Sequence, residues 1–452
     1  MLRAVPQGWS CPFHFCFLFC EPASAGSSSG LFLRCATGPC GRAVALAGLR
    51  PDYRAILPTR GGGTIRKDGG GASEGDPPNT RLAQIRTQHY ARFMQFARTP
   101  HPAPTPDAAR EALIADPGFG TVFTDHMVVI DYDEALGGWQ TPTIGPRGPI
   151  NLDPAASVLH YAQEIFEGMK AYAHPEGGLS LFRPDANARR FNASARRMAM
   201  PEIPEELFIA AVREAVLADA AWLPPIEGGS LYIRPFMFAS EAFLGVRPAK
   251  QYKFIVIICA VGNYFKKGVN PVKIWVAQDY TRAAPGGTGA AKTGGNYAAS
   301  LVPQAQATAQ GCDQVVFLDA AEHKWVEELG GMNLFFVRAD GSVITPPLTG
   351  TILPGITRDS LIAMLREEGL DVREEPYSIG QWREEAESGM LLETMACGTA
   401  AVVTPIGTVA SPKGEFHIGA GGIGQMTSKM RERLVGVQNG RVADTHGWMM
   451  RV

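Results

Sequence analysis

The 452-residue chain lacks several features that would place it quickly in a class of protein. Its net charge is only −2 at pH 7, so it has none of the basic excess that nucleic-acid binding requires. No apolar run approaches the ~18 residues that a membrane-spanning helix needs, and no internal repeat is evident. Charged residues make up 19% and apolar residues 45%, which predicts a globular protein with enough chain for two or three domains.

Cysteine is scarce after residue 40. Five of the eight cysteines lie in the first forty residues, and only Cys259, Cys312 and Cys397 follow. Three scattered cysteines in apolar surroundings predict a reducing compartment and no disulfide framework. The early cysteines have no zinc-type spacing and no histidine pair after them, so no metal site is predicted.

The stretch that carries most chemical information is residues 271–338, where Lys292 stands among alanines and glycines. Small residues let the backbone and large groups come close to its amine. A buried or crowded lysine loses proton affinity and becomes a nucleophile that can form a Schiff base. From the residues alone, three interpretations are open: a flexible loop with a solvated lysine, a phosphate-binding loop, and a lysine that carries pyridoxal phosphate.

The phosphate-binding interpretation rests on a near match to a nucleotide-binding loop. Gly286 and the segment Ala291-Lys292-Thr293 fit G-x-x-x-x-G-K-[ST] except for alanine at the second glycine. Asp319 directly follows the apolar run 315–318, just as a metal-binding acid follows an apolar strand in nucleotide hydrolases. The mismatch falls where the backbone must curl around phosphate, and Gly294-Gly295 weakens the helix start that should face it. A P-loop-like nucleotide hydrolase is therefore the alternative from a different class.

Two motifs in this stretch resemble a known family. The segment Ala291-Lys292-x-Gly-Gly-Asn-Tyr297, followed by Glu328-Leu-Gly-Gly-Met-Asn, is similar to the branched-chain amino acid aminotransferases, which are fold type IV pyridoxal phosphate enzymes. Both motifs at this separation are far more specific than either alone. The resemblance implies an α/β (α+β) fold of two domains with the cofactor in the interdomain cleft.

The family-like sequence begins at Met94 and continues to the C-terminus. The resemblance implies a smaller N-terminal domain over residues 94–263, a linker over 264–270 and a larger cofactor-binding domain over 271–452. Residues 1–93 are glycine-rich and without periodicity. They could be a disordered tail or an organelle transit peptide, because residues 1–50 hold four arginines and one acid. We favour a third interpretation, a non-native extension upstream of Met94.

The function that the resemblance implies is transfer of the amino group between L-leucine, L-isoleucine or L-valine and 2-oxoglutarate. The partners would be these amino acids, their keto acids, glutamate and a second copy of the chain in a cytoplasmic homodimer. A D-amino acid aminotransferase or an aminodeoxychorismate lyase would share Lys292 and Glu328. Both should lack the set made by Phe166-Glu-Gly-Met-Lys170 and Tyr232-Ile-Arg234-Pro. A non-catalytic binding protein of the same fold would hold cofactor without transferring an amino group.

The resemblance also assigns the cofactor site. Lys292 would be the catalytic residue, holding pyridoxal 5′-phosphate as a Schiff base and moving a proton as a general base. Glu328 would keep the pyridine nitrogen protonated, because an opposite charge at short range favours the charged form. Tyr297 would hydrogen-bond the phenolic oxygen. The cofactor phosphate would be held by Arg190, Ile356, Thr357 and Thr399.

The substrate site is implied in the same way. The apolar chain would contact Phe119, Tyr161, Phe166 and Tyr232. Arg234 could assist with the γ-carboxylate of glutamate, and the α-carboxylate would bind the backbone N–H groups of Gly331 and Ala400. The cysteine pair that vertebrate relatives carry after Thr-Ala is absent from Thr399-Ala-Ala-Val-Val, so no thiol redox switch is predicted there.

Two local patterns complete the expectations. Asp153-Pro154 predicts an N-cap followed by proline at the first helical position, and hence one helix that carries His160 through Lys170. Gly419-Ala-Gly421-Gly-Ile-Gly424 matches G-x-G-x-x-G, but a dinucleotide site also needs a βαβ unit, and no second strand is evident in the 28 residues that follow. We expect a turn there before a C-terminal helix.

Overall fold

Two β-sheets with helices packed against them make up the part of the chain that the structure, a computed structural model, describes: residues 95–262 and 269–452. The predicted extension 1–93 and most of the predicted linker 264–270 lie outside these residues. All described residues belong to one compact unit, 75–452. The division into domains at residues 264–270 therefore stays a prediction.

The strands of the first sheet are β1 (Ala97–Arg98), β2 (Val122–Asp133), β3 (Gly138–Trp139), β4 (Thr143–Pro146), β5 (Glu164–Phe166), β6 (Met169–Ala173), β7 (Leu179–Phe182), β8 (Ser230–Ala239), β9 (Gln251–Val261) and β19 (Met449–Arg451). Their order in the sheet is β1-β4-β2-β9-β8-β6-β7-β19, with β3 paired to β2 and β5 paired to β8. Most of the pairs are antiparallel, and the long strands β8 and β9 form the centre of the sheet.

The strands of the second sheet are β10 (Val272–Val276), β11 (Gln314–Leu318), β12 (Val326–Leu329), β13 (Asn333–Arg338), β14 (Ser342–Thr345), β15 (Asp371–Glu374), β16 (Leu391–Gly398), β17 (Val402–Ser411) and β18 (Gly414–His417). Their order in the sheet is β12-β11-β10-β17-β16-β13-β14-β15, with β18 paired to β17. The sheet mixes parallel pairs, such as β10 with β11, and antiparallel pairs, such as β13 with β16.

The helices cover these sheets and connect their strands. They are α1 (Asp107–Ile114), α2 (Val158–Tyr161), α3 (Pro184–Arg197), α4 (Glu205–Ala218), α5 (Gly294–Ala298), α6 (Leu301–Ala309), α7 (Ile356–Glu367), α8 (Ile379–Ser388) and α9 (Gln425–Gln438). No helix among the described residues has both the length and the apolar character that crossing a membrane would take. The mixture of two sheets and flanking helices confirms the predicted α/β (α+β) class.

Each sheet buries its own apolar layer. Phe191 of α3, Phe208 of α4 and Phe254 of β9 meet with ring centroids 5.3–5.7 Å apart, and all three are fully buried. In the second sheet, Phe336 stacks on Tyr377 at 4.0 Å and meets Trp382 at 4.9 Å. Aromatic contacts of this kind add to the hydrophobic gain from burial.

The chain returns to the first sheet at its end. Met449 of β19 pairs with Phe182 of β7, in antiparallel register. The predicted larger domain, 271–452, thus contributes a terminal strand to the sheet formed by residues 97–261.

The helix predicted to run from Asp153 through Lys170 is wrong. Asp153 Oδ1 accepts a hydrogen bond from Ala155 N at 2.8 Å, but the helix that follows spans only Val158–Tyr161. Ala162 ends it in the left-handed region with φ 49°. The residues beyond form β5 and β6, because pairing with β8 buries their apolar side chains on the sheet. Tertiary pairing has outweighed the local helix signal.

Candidate active site

The Lys292 loop is joined to the first sheet and to α3 by backbone hydrogen bonds. Lys292 N donates to Ser194 Oγ at 2.9 Å, and Phe166 N donates to Lys292 O at 2.9 Å. The Lys292 Nζ donates to the Tyr297 hydroxyl at 2.6 Å and lies 4.7 Å from the centroid of the Phe166 ring. Lys292 is therefore held by its backbone and by its side chain, and the interpretation of a flexible loop with a solvated lysine is wrong.

A carboxylate occupies the N-terminus of α5, directly after the lysine. Glu164 of β5 accepts hydrogen bonds from Gly294 N and from Thr293 Oγ1, the latter at 3.2 Å. A Cβ at Gly294 would run into this carboxylate, which explains the glycine there. In a P-loop these donors would face phosphate. The loop therefore does not offer them to a nucleotide, and the nucleotide-hydrolase alternative loses its binding site.

Glu328 lies fully buried on β12, and three donors converge on it. Its carboxylate accepts from Leu353 N at 3.0 Å and Asn333 Nδ2 at 3.3 Å, and it forms an ion pair with Arg282 at 2.7 Å. Burial raises the pKa of Glu328 to about 7, against the opposing charge of Arg282. Glu327 points to the other face of the strand, as expected from alternation, and accepts from the Thr351 hydroxyl.

Arg190 of α3 is held rigidly by Glu167, a residue that the sequence analysis did not select. Arg190 Nε and Nη2 donate to the two Glu167 oxygens at 2.7 and 2.8 Å, and Nη1 donates to Pro354 O at 3.1 Å. Asn187 Nδ2 adds a bond to Glu167 at 2.7 Å. Burial alone would raise the pKa of Glu167, but the charge and hydrogen bonds of Arg190 bring it below its usual range. The pair stays ionised and fixes the guanidinium at the edge of the cleft.

The N-terminus of α7 faces this arginine. Its N-cap, Gly355, has no side-chain cap hydrogen bond, and Ile356 and Thr357 line the same cleft as Arg190. A Cβ at Gly355 would run into the Asn333 side-chain oxygen, so only glycine allows this approach. Free backbone N–H groups at a helix N-terminus, next to an arginine, form a site that favours an anion.

Aromatic side chains and an arginine form the opposite wall. The Arg234 guanidinium lies 4.7 Å from the Phe166 ring centroid, and its Nη2 donates to the Tyr232 hydroxyl at 3.1 Å. Gly168 allows this hydroxyl to come close, because a Cβ there would run into it. The Phe119 ring packs edge-on against Tyr232 at 5.2 Å.

The structure brings together most of the residues that were predicted to form one site. One cleft is lined by Phe166, Arg190, Tyr232, Arg234, Lys292, Tyr297, Glu328, Gly331, Ile356, Thr357, Thr399 and Ala400. Phe119 does not line this cleft itself, but its ring packs against Tyr232, which does. Tyr161 does not line it and is 38% exposed. The roles assigned to these residues stay predictions.

Sequence reasoning missed several residues of this site. The cleft is also lined by Gly168, Asn333, Leu353, Gly355, Cys397 and Gly398. Glu167 and Arg282 support it from behind, through Arg190 and Glu328. Glu167 stands beside Phe166 and could have been paired with an arginine, whereas Arg282 lies in a loop without any pattern. Burial raises the pKa of the Cys397 thiol to about 12, so this thiol remains protonated.

The second glycine motif, 419–424, forms a turn before α9 and lies outside the cleft. Glu393 accepts from Met426 N and Thr427 N, both at 2.8 Å, and from Thr427 Oγ1 at 2.7 Å. A carboxylate of the chain again takes the donors that a dinucleotide phosphate would need.

Comparison with known proteins gives a consistent result. Residues 164–408 match the family described as amino-transferase class IV. The chain is 52% identical over 365 residues to the branched-chain-amino-acid aminotransferase of Mycolicibacterium smegmatis, covering 79% of this chain and 98% of that protein. It is 43% identical over 359 residues to branched-chain-amino-acid aminotransferase 2 of Bacillus subtilis, covering 79% and 96%.

Solved structures agree. The branched-chain amino acid aminotransferase of Escherichia coli is similar with a TM-score of 0.59 and 29% identity, covering 72% of this chain and 98% of that one. The branched-chain amino acid aminotransferase of Thermobaculum terrenum, solved in its PLP form, is similar with a TM-score of 0.57 and 25% identity, covering 71% and 97%.

Proposed function

The chain belongs to the class IV aminotransferases, and on that premise we propose that it exchanges the amino group of L-leucine, L-isoleucine or L-valine with 2-oxoglutarate. The observation that carries this proposal is the cleft itself, where Lys292 Nζ meets Tyr297 while buried Glu328 lines the same space. The relatives that this chain matches over nearly their full length are named branched-chain aminotransferases, which favours this reaction over the D-amino acid and lyase alternatives.

The polar groups that line the cleft fit pyridoxal 5′-phosphate. An amine, a buried carboxylate and an arginine beside an uncapped helix N-terminus line one space, and they suit an aldehyde, a ring nitrogen and a phosphate. When bound, this cofactor supplies the electron sink for the carbanion that forms at the substrate's α-carbon.

Lys292 is the catalytic residue of the proposal. It would hold the cofactor covalently, and once free its Nζ would carry the proton taken from the substrate's α-carbon. The hydrogen bond from Lys292 Nζ to the Tyr297 hydroxyl, at 2.6 Å, holds the amine next to the Phe166 ring. One residue then serves as both anchor and general base.

Glu328 sets the charge at the far side of the cleft. Its burial makes ionisation costly, with a pKa raised to about 7, and a protonated ring nitrogen beside it would restore the ionised form. Arg282, Asn333 and the Leu353 N–H orient the carboxylate. The residue therefore responds to its partner's charge, which is what a role at the ring nitrogen requires.

The phosphate would be held by Arg190, Thr357, Thr399 and the Ile356 N–H. Glu167 fixes Arg190 in place, so little side-chain freedom is lost when the anion binds. Helix α7 adds its N-terminal partial charge.

The substrate would lie between the aromatic wall and the Thr399–Ala400 segment. Phe166 and Tyr232 offer apolar surface to an aliphatic chain, and Phe119 packs against Tyr232. Arg234 offers a charge for the γ-carboxylate of glutamate, and Gly331 and Ala400 offer backbone to the α-carboxylate. Small-molecule amino and keto acids are thus the partners of the proposal, in a cytoplasmic enzyme.

A homodimer is the assembly that we propose. Segments 155–161 and 240–247 pair through Ser157 N to Glu241 O and Phe243 N to Ala155 O, both at 3.0 Å. They expose apolar side chains together: Leu159 (59%), Tyr161 (38%), Leu244 (68%) and Val246 (89%). A clustered apolar surface of this kind marks a protein interface. A second copy that covers it would let Tyr161 reach a substrate site, which it does not do within its own chain.

The test is a set of amino-donor assays on the cofactor-loaded protein. L-leucine, L-isoleucine and L-valine should each react with 2-oxoglutarate, and L-leucine alone should change the visible absorption of the protein. D-alanine should react poorly. A kcat/KM for D-alanine above that for L-leucine would overturn the substrate assignment, and hydrolysis of ATP with no amino transfer would overturn the reaction.

A further inference from the structure

Helix α3 carries three polar side chains along one of its sides. Arg190, Ser194 and Arg197 are spaced i, i+4 and i+7, and residues at this spacing share a side of a helix. Arg190 and Ser194 are buried, whereas Arg197 is exposed at the end of the helix. At a rise of about 1.5 Å per residue, Arg190 and Arg197 stand about 10 Å apart along the helix axis.

Two of these side chains hold the loop that carries Lys292. Ser194 Oγ accepts from Lys292 N at 2.9 Å. Arg197 Nη2 donates to Gly286 O at 2.9 Å and to Gly287 O at 3.0 Å, and its Nε donates to Gly287 O at 3.2 Å. Both ends of the Lys292 loop are therefore tied to α3.

The third side chain belongs to the anion end of the cleft. Arg190 Nη1 donates to Pro354 O at 3.1 Å, directly before the N-cap of α7. Glu167 fixes the same guanidinium through two further hydrogen bonds. One side of α3 thus contacts both the segment that would bind the cofactor phosphate and the loop that would bind its aldehyde.

Another side of α3 anchors the helix in the core of the first sheet. Ala188, Phe191 and Ala195 are fully buried, and the Phe191 ring meets the rings of Phe208 and Phe254. Close packing of this kind leaves a helix little freedom to shift against its sheet. The two ends of the cleft are therefore mounted on one rigid element.

We propose that Ser194 and Arg197 are positioning residues that hold Lys292 at a fixed distance from the phosphate site. Pyridoxal 5′-phosphate carries its aldehyde and its phosphate-bearing methylene on neighbouring ring carbons, so it reaches Arg190 and Lys292 together only where their spacing matches. While α3 holds this spacing, binding of one end of the cofactor brings the other end to its partner at a high effective concentration. The inference rests on the proposed function through its cofactor alone, whichever amino acid reacts.

The experiment compares three probes on the full chain, which is loaded with cofactor to show that each variant binds it and is then freed of it. The probes are pyridoxal 5′-phosphate, pyridoxal and inorganic phosphate. Visible absorption gives the dissociation constants of the first two, and calorimetry gives the third. The linkage constant is the product of the pyridoxal and phosphate dissociation constants divided by that of pyridoxal 5′-phosphate. It is an effective concentration and measures how well one end places the other.

The linkage constant should fall about tenfold in Ser194→Ala and about a hundredfold when Arg197→Met is added, because each change removes hydrogen bonds that hold the loop. The separate dissociation constants of pyridoxal and phosphate should stay nearly unchanged, since each probe meets only one end of the cleft. Ser194→Cys keeps a weak acceptor at the same place and should lie between the wild type and Ser194→Ala.

Arg196→Met is the matched control. It removes a neighbouring arginine of α3 that pairs with Glu202 at the surface, and with it the same charge as Arg197→Met. All three dissociation constants should stay as in the wild type. If Ser194→Ala does not fold, Arg197→Met alone, at the exposed end of the helix, gives the same measurement.

An unchanged linkage constant in the Ser194 and Arg197 variants would overturn the inference. That result includes the case in which pyridoxal and phosphate each bind more weakly and pyridoxal 5′-phosphate only in proportion, because the side chains would then merely support the local fold. Failure of the proposed function would look different: a wild type with a high linkage constant would not transaminate L-leucine.

Discussion

Two helix N-termini lie beside the cleft, and only one of them remains open to an anion. At α5, which follows Lys292, Glu164 accepts from Gly294 N and Thr293 Oγ1. At α7, no side chain caps the helix within the described residues, and Ile356 and Thr357 line the cleft beside Arg190. The loop that looks most like a phosphate-binding motif is therefore the one that the chain has already filled.

The N-terminus of α9, where the second glycine motif ends, is closed as well, because Glu393 accepts from Met426 N and Thr427 N. Both glycine-rich motifs are closed by a carboxylate from a strand, whereas the segment that leads into α7, Leu353-Pro-Gly-Ile-Thr, matches no phosphate motif. Whether a helix end binds an anion is decided by which of its N–H groups remain without a partner. Gly294 and Gly424 instead leave room for these carboxylates, because a Cβ at either glycine would collide with one of them.

The first and largest expected effect concerns the lysine of the closed loop. Lys292→Ala should reduce transamination of L-leucine by on the order of 10⁴-fold or more, because it removes both the anchor and the proton carrier. Lys413→Ala, on the exposed β17–β18 turn, should retain full activity. Normal turnover in Lys292→Ala would mean that the loop is purely structural.

The second effect tests the buried carboxylate across the cleft. Glu328→Gln keeps the shape and removes the charge, and should lower kcat for L-leucine by a hundred- to thousandfold, or ~3–4 kcal/mol. Glu327→Gln, on the opposite face of β12, is the control and should be mild. A crippled Glu327 variant beside a normal Glu328 variant would exchange the two assignments.

The third prediction follows from the raised pKa of Glu328. In protein freed of cofactor, a raised folded pKa means that the carboxyl contributes stability in its protonated form, fully below pH 4.5 and lost as pH rises through about 7. The unfolding free energy of the wild type should fall across this window by on the order of 3 kcal/mol more than that of Glu328→Gln. Denaturant titrations at pH 4.5 and 8 measure this difference. If the unfolding free energies of the wild type and of Glu328→Gln change equally between the two pH values, Arg282 keeps the carboxyl ionised throughout.

The fourth prediction compares two threonines at helix N-termini. Thr357→Val, at α7, should weaken cofactor binding about tenfold, because one hydrogen bond to a charged group is lost. Thr427→Val, at α9, should leave cofactor affinity unchanged and lower stability by about 1 kcal/mol, because its hydroxyl serves Glu393. Equal affinities in the two variants would remove α7 from the phosphate site.

Much of the site could be predicted because its residues carry chemistry in recognisable order. Lys292, Tyr297 and Glu328 lie in two motifs of fixed separation, and the structure places all three in one cleft. The fold class followed from the same resemblance. What could not be predicted depends on contacts between distant segments. Arg282 reaches Glu328, and Lys170 reaches Ala400, only through the packing of strands and loops that have no sequence pattern.

The helix expected through residues 153–170 failed for the same reason. The predicted cap is wrong as well: Asp153 accepts from Ala155 N in a turn, and the helix that follows has Ser157 as its N-cap. Nothing in the local pattern reveals that Ile165 and Met169 belong to strands that pair with β8. Tyr161 is the counterpart at the surface: it does not line the cleft of its own chain, and only the proposed homodimer would bring it to a substrate.

The smallest expected effect tests the closed helix end directly. Glu164 is half-buried, and burial raises its pKa against the opposing hydrogen bonds of Gly294 and Thr293. A raised folded pKa means that this carboxyl contributes most below its ordinary range, and that the contribution is lost as pH rises through the folded value. Glu164→Gln keeps an oxygen that Gly294 N can reach and never ionises. The variant should therefore gain stability relative to the wild type between pH 5 and pH 8, by at most about 1 kcal/mol because solvent screens a half-exposed group. Its turnover should stay near normal, since Lys292 is still held by Ser194 and Phe166. Melting temperatures at the two pH values decide the sign. If the glutamine variant instead loses stability at pH 8, the negative charge itself holds the α5 terminus, and that helix end would favour an anion as α7 does.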